Sequence, residues 1–345
     1  MKHSKLILST ALSTTMLFGA IANAEIKGDV TNTFSFVSND GTANAGNSET
    51  RFGNEINLKY SNKVDLDNGA YASVTGKIEL DNSGDSGADN DNEYEVQIGS
   101  GNFYIGAGSD SGNNISSSVL PIIGYTVGTL ANVSSTTDSA QGDFIGGDEA
   151  NEYQHISANF KAAGGTFSLV YAPNENSNAD DTADIDEGVD GGSVTSILYK
   201  GSPMEGLSLM IGRNTENNDT NSGAAGETDT DRLGLAYNFG QFAVGAERTT
   251  SENGNNTIDL EADRFAISFA ASDAVTLGVQ YQTVEDGTAT ARHDEKAYSF
   301  DVGYNLGGMT VLAQYVQAEG VGANTATSNA IIESDALVFT TKMNF

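Results

Sequence analysis

The sequence predicts an all-β fold, a transmembrane, antiparallel up-and-down β-barrel of about sixteen strands. Three observations carry that reading. Apolar residues recur with a period of two along nearly the whole chain, and the connections between such runs are alternately short and long. Hydrophobic residues nevertheless make up only 38% of the 345 residues, too few for a large packed soluble core. A barrel in lipid needs only its outward strand positions to be apolar, so the three fit together.

The first element is not part of the barrel. Met1–Ala24 has a basic start (Lys2, Lys5), an apolar stretch from Leu6 to Ile21 and a small-residue end, Ala22-Asn23-Ala24. This is the layout of a secretory signal peptide cleaved before Glu25. Ser9, Thr10, Ser13, Thr14 and Thr15 interrupt the stretch, leaving it short of the ~20 apolar residues that span a bilayer as a helix. Without Lys2 and Lys5 the remaining domain, 25–345, holds 14 basic against 47 acidic residues, a net charge of −33.

Alternation then sets the strands. Leu337, Phe339, Thr341, Met343 and Phe345 share one face, and Val338, Thr340, Lys342 and Asn344 the other. Tyr298, Phe300, Val302 and Tyr304 alternate with Ser299, Asp301, Gly303 and Asn305, and Leu233, Leu235, Tyr237 and Phe239 with Arg232, Gly234, Ala236 and Asn238. Phe52, Ile56, Leu58 and Tyr60 oppose Arg51, Glu55, Asn57 and Lys59. Such runs, bounded by Gly, Asn and Asp clusters, are half-buried strands and not helices. They fall near 25–37, 51–61, 69–80, 93–99, 102–108, 152–161, 165–172 and 193–200. The second half gives 206–215, 230–239, 241–250, 257–270, 275–284, 295–305, 308–318 and 335–345.

Connections complete the pattern. Short turns are expected at Gly99–Asn102, Lys161–Gly165, Gly201–Gly206, Gly240, Ala271–Ala274 and Asn305–Gly308. Long polar segments occupy 38–50, 81–92, 109–151, 173–192, 216–229, 285–294 and 319–334. A meander with tight turns on one rim and elaborated loops on the other has this rhythm, and a two-layer sandwich gives no reason for it. Closure satisfies every backbone polar group without presenting an edge to lipid.

Composition excludes several functions. A net charge of −31 over the full chain opposes nucleic-acid binding by phosphate neutralisation. The absence of cysteine removes disulfide frameworks, zinc-thiolate sites and Cys nucleophiles.

Export, sixteen alternating strands and a terminal Phe345 together resemble the general diffusion porins of the Gram-negative outer membrane. The resemblance extends over the whole domain as a pattern. Its most specific parts are the closing run Val338-Phe339-Thr340-Thr341-Lys342-Met343-Asn344-Phe345 and the long segment after the fifth strand. It implies a multi-pass outer-membrane protein among lipid and lipopolysaccharide, usually a homotrimer, passing small hydrophilic solutes. It also implies that Phe345 is the signal read by the outer-membrane assembly machinery, and that segment 109–151 is a long third loop folded into the lumen, where it narrows the pore. The basic-aromatic motif of better-known members is missing from that segment.

Parity places Arg51, Glu55, Lys59, Lys77 and Glu79 on the inward wall, while the inserted loop carries Asp110, Asp138, Asp143, Asp148 and Glu149 and no Lys or Arg. In the family a cationic wall facing an acidic loop creates a field across the constriction; alternatively, Lys59 and Lys77 pair with neighbouring carboxylates. Arg213 and Arg248 share the parity of outward apolar residues. Both sit near strand ends, where a charge facing lipid costs little, unless a bulge resets the parity.

The acidic excess lies in loops: Glu175, Asp180, Asp181, Asp184, Asp186, Glu187 and Asp190 form one cluster, and Asp81–Glu93 is similar. Such oxygens can ligate Ca²⁺, but neither stretch has an EF-hand pattern, so solvated loops are the reading and no cofactor is expected. The negative rim favours cations in a salt-dependent way. Among rivals, a barrel enzyme would have to use His155 or His293, the two histidines after the signal segment. A soluble adhesin would conduct no ions, and an anion channel would want a ladder of basic residues where 14 are scattered among 47 acids. A solute-specific pore, for sugars for instance, fits the same pattern.

Overall fold

The computed structural model describes residues 25–40, 48–66, 69–82, 92–109, 118–123, 154–173, 192–217, 227–254, 259–286, 295–319 and 333–345. The first half of the chain forms β1 (Glu25–Asp40), β2 (Ser48–Asp65), β3 (Ala70–Asn82), β4 (Asn92–Ser100), β5 (Phe103–Ser109), β6 (His155–Ala162), β7 (Gly165–Ala172) and β8 (Ser193–Met204). The second half forms β9 (Leu207–Asn217), β10 (Glu227–Phe239), β11 (Phe242–Asn253), β12 (Asp259–Ala270), β13 (Val275–Asp286), β14 (Glu295–Asn305), β15 (Met309–Glu319) and β16 (Glu333–Asn344). Each strand pairs antiparallel with its sequence neighbours, and β1 pairs with β16 to close the barrel. The predicted strand order and number therefore hold, with every boundary within four residues of expectation.

Turn chemistry explains the tight rim. Ala163 (φ 51°) and Gly164 (φ 74°) are both left-handed, as a two-residue hairpin loop requires to match the twist of its strands. Gly101, at φ 60°, supplies the left-handed residue of the β4–β5 turn.

Register fixes which side chains share a face. Phe34 stands opposite both Phe52 and Phe339, and Leu233 opposite Ile211. Of these outward residues Phe34 is half-buried among its neighbours, and Phe52, Phe339, Ile211 and Leu233, with Phe265, Ile267, Phe300 and Tyr304, are exposed. The alternate positions are polar and buried: Asn57, Asn159, Asn214, Thr230, Gln280, Ser299, Asp301 and Gln314. The distribution is inside-out relative to a soluble protein, as a lipid-facing sheet around a wet interior demands.

The interior is not polar throughout. Val37, Ala297, Val316, Ala318, Ala336 and Val338 form a buried apolar cluster on the inner face toward the loop ends of β1 and β14–β16. Smaller ones comprise Val170, Ala172 and Val194, and Leu260, Ala262 and Val284. The simple rule of apolar outside and hydrophilic inside fails at these patches.

Candidate functional site

Within the barrel, the decisive feature is where the connection after β5 goes. Its described part, Ser118–Ile123, touches the inner faces of β10, β11, β13 and β14. Those strands lie on the far side of the barrel from β5 and β6, between which the segment falls in sequence. The predicted insertion of the long third loop is thus observed for this stretch. Its seat is a wall of small residues: Gly234, Gly245, Gly278 and Gly303 face Val119, Leu120, Pro121 and Ile123.

A polar cluster flanks the seat. Ser118 donates from Oγ to Glu247 Oε2 at 2.9 Å, and the same hydroxyl accepts the Leu120 N–H at 3.0 Å. Glu247 is also held by Arg232 and by Arg264, the latter at 3.1 Å, with all three side chains almost wholly buried. Register explains the meeting. Glu247 on β11 stands opposite Arg264 on β12 and Gly234 on β10, and the glycine leaves room for the carboxylate. Further along, Asp301 accepts from Gln280 Nε2 at 2.9 Å and Gln314 Nε2 at 3.0 Å. Two buried carboxylates are thereby satisfied in different ways, one by guanidiniums and one by amides.

The opposite wall carries the predicted residues. Lys27 on β1, Lys59 on β2 and Lys77 on β3 stand directly opposite one another across the strands. Like charges in register repel, and nearby acids relieve this row. Lys27 bonds Glu25 at 2.8 Å, and Lys77 bonds Glu79 at 2.7 Å and Glu93. Asp29, only 8% exposed, lies between Lys342 at 3.2 Å and Lys59 at 3.7 Å and accepts from Asn57 at 3.2 Å. Of the two predicted wall cations whose side chains are described, Lys59, 55% exposed, is the more open to the lumen, whereas Lys77 is largely committed to its two glutamates. Glu55 accepts from Asn57. A cleft of about 340 Å³ opens along this row, lined by Lys27, Lys59, Ser61, Thr75, Lys77 and Glu93.

Several expectations need amendment. The basic residues are not merely scattered, because three of them align in register, a relation that depends on pairing and not on spacing. Arg213 and Arg248 do point outward, and the register of β9–β12 runs through both without a bulge. Each is compensated on the same outer face. Arg213 bonds Asp231 through Nε at 2.7 Å and through NH2, with Asp229 at 3.9 Å. Arg248 bonds Glu261, with Asp263 at 3.7 Å.

The Arg51 side chain lies outside the described residues, as do Asp110, Asp138, Asp143, Asp148 and Glu149 of the loop, the 175–190 acidic cluster, His293 and the signal segment 1–24. His155 opens β6, inward and buried. Sequence reading missed the Arg232–Glu247–Arg264 cluster. Its one signal was the presence of charged residues at inward parity on three successive strands.

Comparison with known proteins agrees with this geometry. A family model described as Gram-negative porin matches residues 9–332. A solved structure described as "Asymmetric conductivity of engineered proteins" superposes with a TM-score of 0.60 at 16% identity, covering 94% of this chain and 100% of the other. A mutant of the Rhodopseudomonas blastica porin gives 0.59 at 14% identity, over 93% and 100%. A second mutant of that porin gives 0.58 at 15%, again over 93% and 100%. Among curated proteins, no sequence match is found.

Proposed function

The chain belongs to the Gram-negative porin family, and on that premise we propose a weakly selective pore that favours cations. The protein is an outer-membrane porin: a channel through which small hydrophilic solutes and ions diffuse passively. The observation that carries the reading is the reversal of polarity across the wall, with exposed Leu233, Phe265 and Phe300 outside and buried Thr230, Arg264 and Asp301 inside. A segment of the third loop seated within the lumen narrows the path. Diffusion through it requires no catalytic step and no cofactor, only width and wall charge.

The finer parts of the proposal rest on the resemblance and on charge. Residues 1–24 are a cleaved export signal, and Phe345 is the mark read by the assembly machinery. The barrel works as a homotrimer among lipid and lipopolysaccharide. Cation preference follows from 47 acidic against 14 basic residues after the signal segment, which lowers the potential along the approach. Wall residues Arg51, Glu55, Lys59, Lys77 and Glu79 and loop acids Asp110, Asp138, Asp143, Asp148 and Glu149 make up the proposed charge filter.

Liposome swelling tests the reading. Proteoliposomes placed in isotonic sugar should swell at rates that fall smoothly with solute size. Saturation by one sugar would favour a solute-specific channel, and no swelling at all would favour a non-conducting surface protein. Reversal potentials in a KCl gradient test the ion preference, which a clear preference for chloride would contradict.

A further inference from the structure

Glycine in the middle of a strand weakens it, unless another part of the chain must come close. Four inward glycines, Gly234, Gly245, Gly278 and Gly303, lie within β10, β11, β13 and β14. A Cβ atom on Gly234 would stand 2.8 Å from Val119 Cγ2, and one on Gly245 2.9 Å from both Leu120 Cδ2 and Pro121 Cδ. On Gly278 it would stand 2.6 Å from Ile123 Cδ1, and on Gly303 2.9 Å from Ile123 Cγ2. Native Cβ atoms do not come within 3.0 Å of such neighbours. On β12, which bridges the four, Ala266 is buried opposite Gly245. The wall is therefore a shallow trough into which the inserted segment fits.

Building on the pore assignment, we propose that this glycine trough and the apolar strip Val119–Ile123 together set the aperture, acting as size-determining positioning residues. Apolar side chains inserted into a water-filled lumen gain by shedding water against the wall. The seat consequently holds by apolar contact and close approach, pinned at one end by the hydrogen bond from Ser118 to Glu247. Two consequences separate it from an electrostatic clamp. The size cut-off should not change between low and high salt, although ion selectivity should, because screening acts on charges and not on apolar contact. Filling the trough should push the strip into the open path, and trimming the strip should let it back.

A size exchange tests the proposal in full-length protein reconstituted in planar bilayers. Gly278→Val should lower single-channel conductance by about twofold, since its side chain pushes Ile123 and the strip toward the open path. Gly278→Val combined with Ile123→Ala should return it close to the wild-type value, the coupling expected of residues in contact. Conductance unaltered in the single variant, or altered equally in both, overturns the proposal while leaving the pore assignment intact, because the wild-type channel would still conduct. Should the single variant fail to assemble, a second measurement decides. The chain has no native cysteine, and Val119→Cys with Gly234→Cys brings two thiols within disulfide reach. Non-reducing gels of outer-membrane fractions should show the cross-link without added oxidant catalyst, and its absence overturns the proposed seat.

Discussion

Phe345 lays its ring across the outer face of Gly28, in the space a Cβ at that glycine would fill. The two residues also exchange both backbone hydrogen bonds, each at 2.8 Å. The last residue of the chain thus pairs with the first strand and covers its one bare position near the tight-turn rim. Closure of the barrel and the terminal aromatic are the same structural event.

Gly28→Val should therefore impair closure, because its side chain would displace the ring. Overpacking of this kind costs about 1–3 kcal/mol. The check is urea titration in lipid vesicles, reading the fraction of compact barrel on unheated gels. Phe345→Leu should be milder than Phe345→Asp, which puts a charge where the ring meets lipid.

Glu247 is the counter-ion of two buried guanidiniums. Glu247→Leu would leave Arg232 and Arg264 facing each other without their shared carboxylate, and removing one partner of a buried ionic group costs about 3–5 kcal/mol. The same titration should show that loss, while Glu247→Gln, which retains an acceptor for Ser118, should lose less.

Legibility in the sequence followed physical range. Alternation is local, so Leu233, Leu235, Tyr237 and Phe239 disclosed β10 without knowledge of its neighbours, and Gly101 and Gly164 marked their turns. The lumen was harder to read because it is built across strands. Nothing in the spacing of Lys27, Lys59 and Lys77 says that they stand side by side. That Glu247 meets Arg264 depends on a register set by the β11–β12 connection. Gly234 and Gly303 were visible only as small residues at inward parity, their purpose hidden until Val119 and Ile123 were found against them. Strand ends were read short at β2, where mostly polar residues continue the pairing to Ser48 and Asp65, and at β8, which runs on through a register shift between Gly201 and Met204.

The outer face makes a contrast between two arginine positions. Leu235→Arg, within the apolar band, should destabilise the barrel by about 2–4 kcal/mol if it sits at the bilayer midplane. Arg213→Leu, which removes a half-exposed arginine paired with Asp231, should change stability by about 0–1 kcal/mol. Equal effects would show that the two residues lie at the same depth.

Wall charge should tune selectivity without altering size. Lys59→Gln leaves Asp29 with Lys342 as its remaining cationic neighbour. The cation-to-anion permeability ratio should then rise about 1.5- to 2-fold at 0.1 M salt and less at 1 M, where the Debye length falls from ~10 to ~3 Å. Reversal potentials at the two salt concentrations measure it. Lys77→Gln should do less than Lys59→Gln, because Glu79 and Glu93 already hold that ammonium group.

Single-channel recording of the purified protein in planar bilayers is the most direct test of a hydrated path through this barrel. The structure predicts discrete conductance steps, near-linear in voltage and growing with salt concentration. Bilayers that stay electrically silent although the protein has inserted would contradict it.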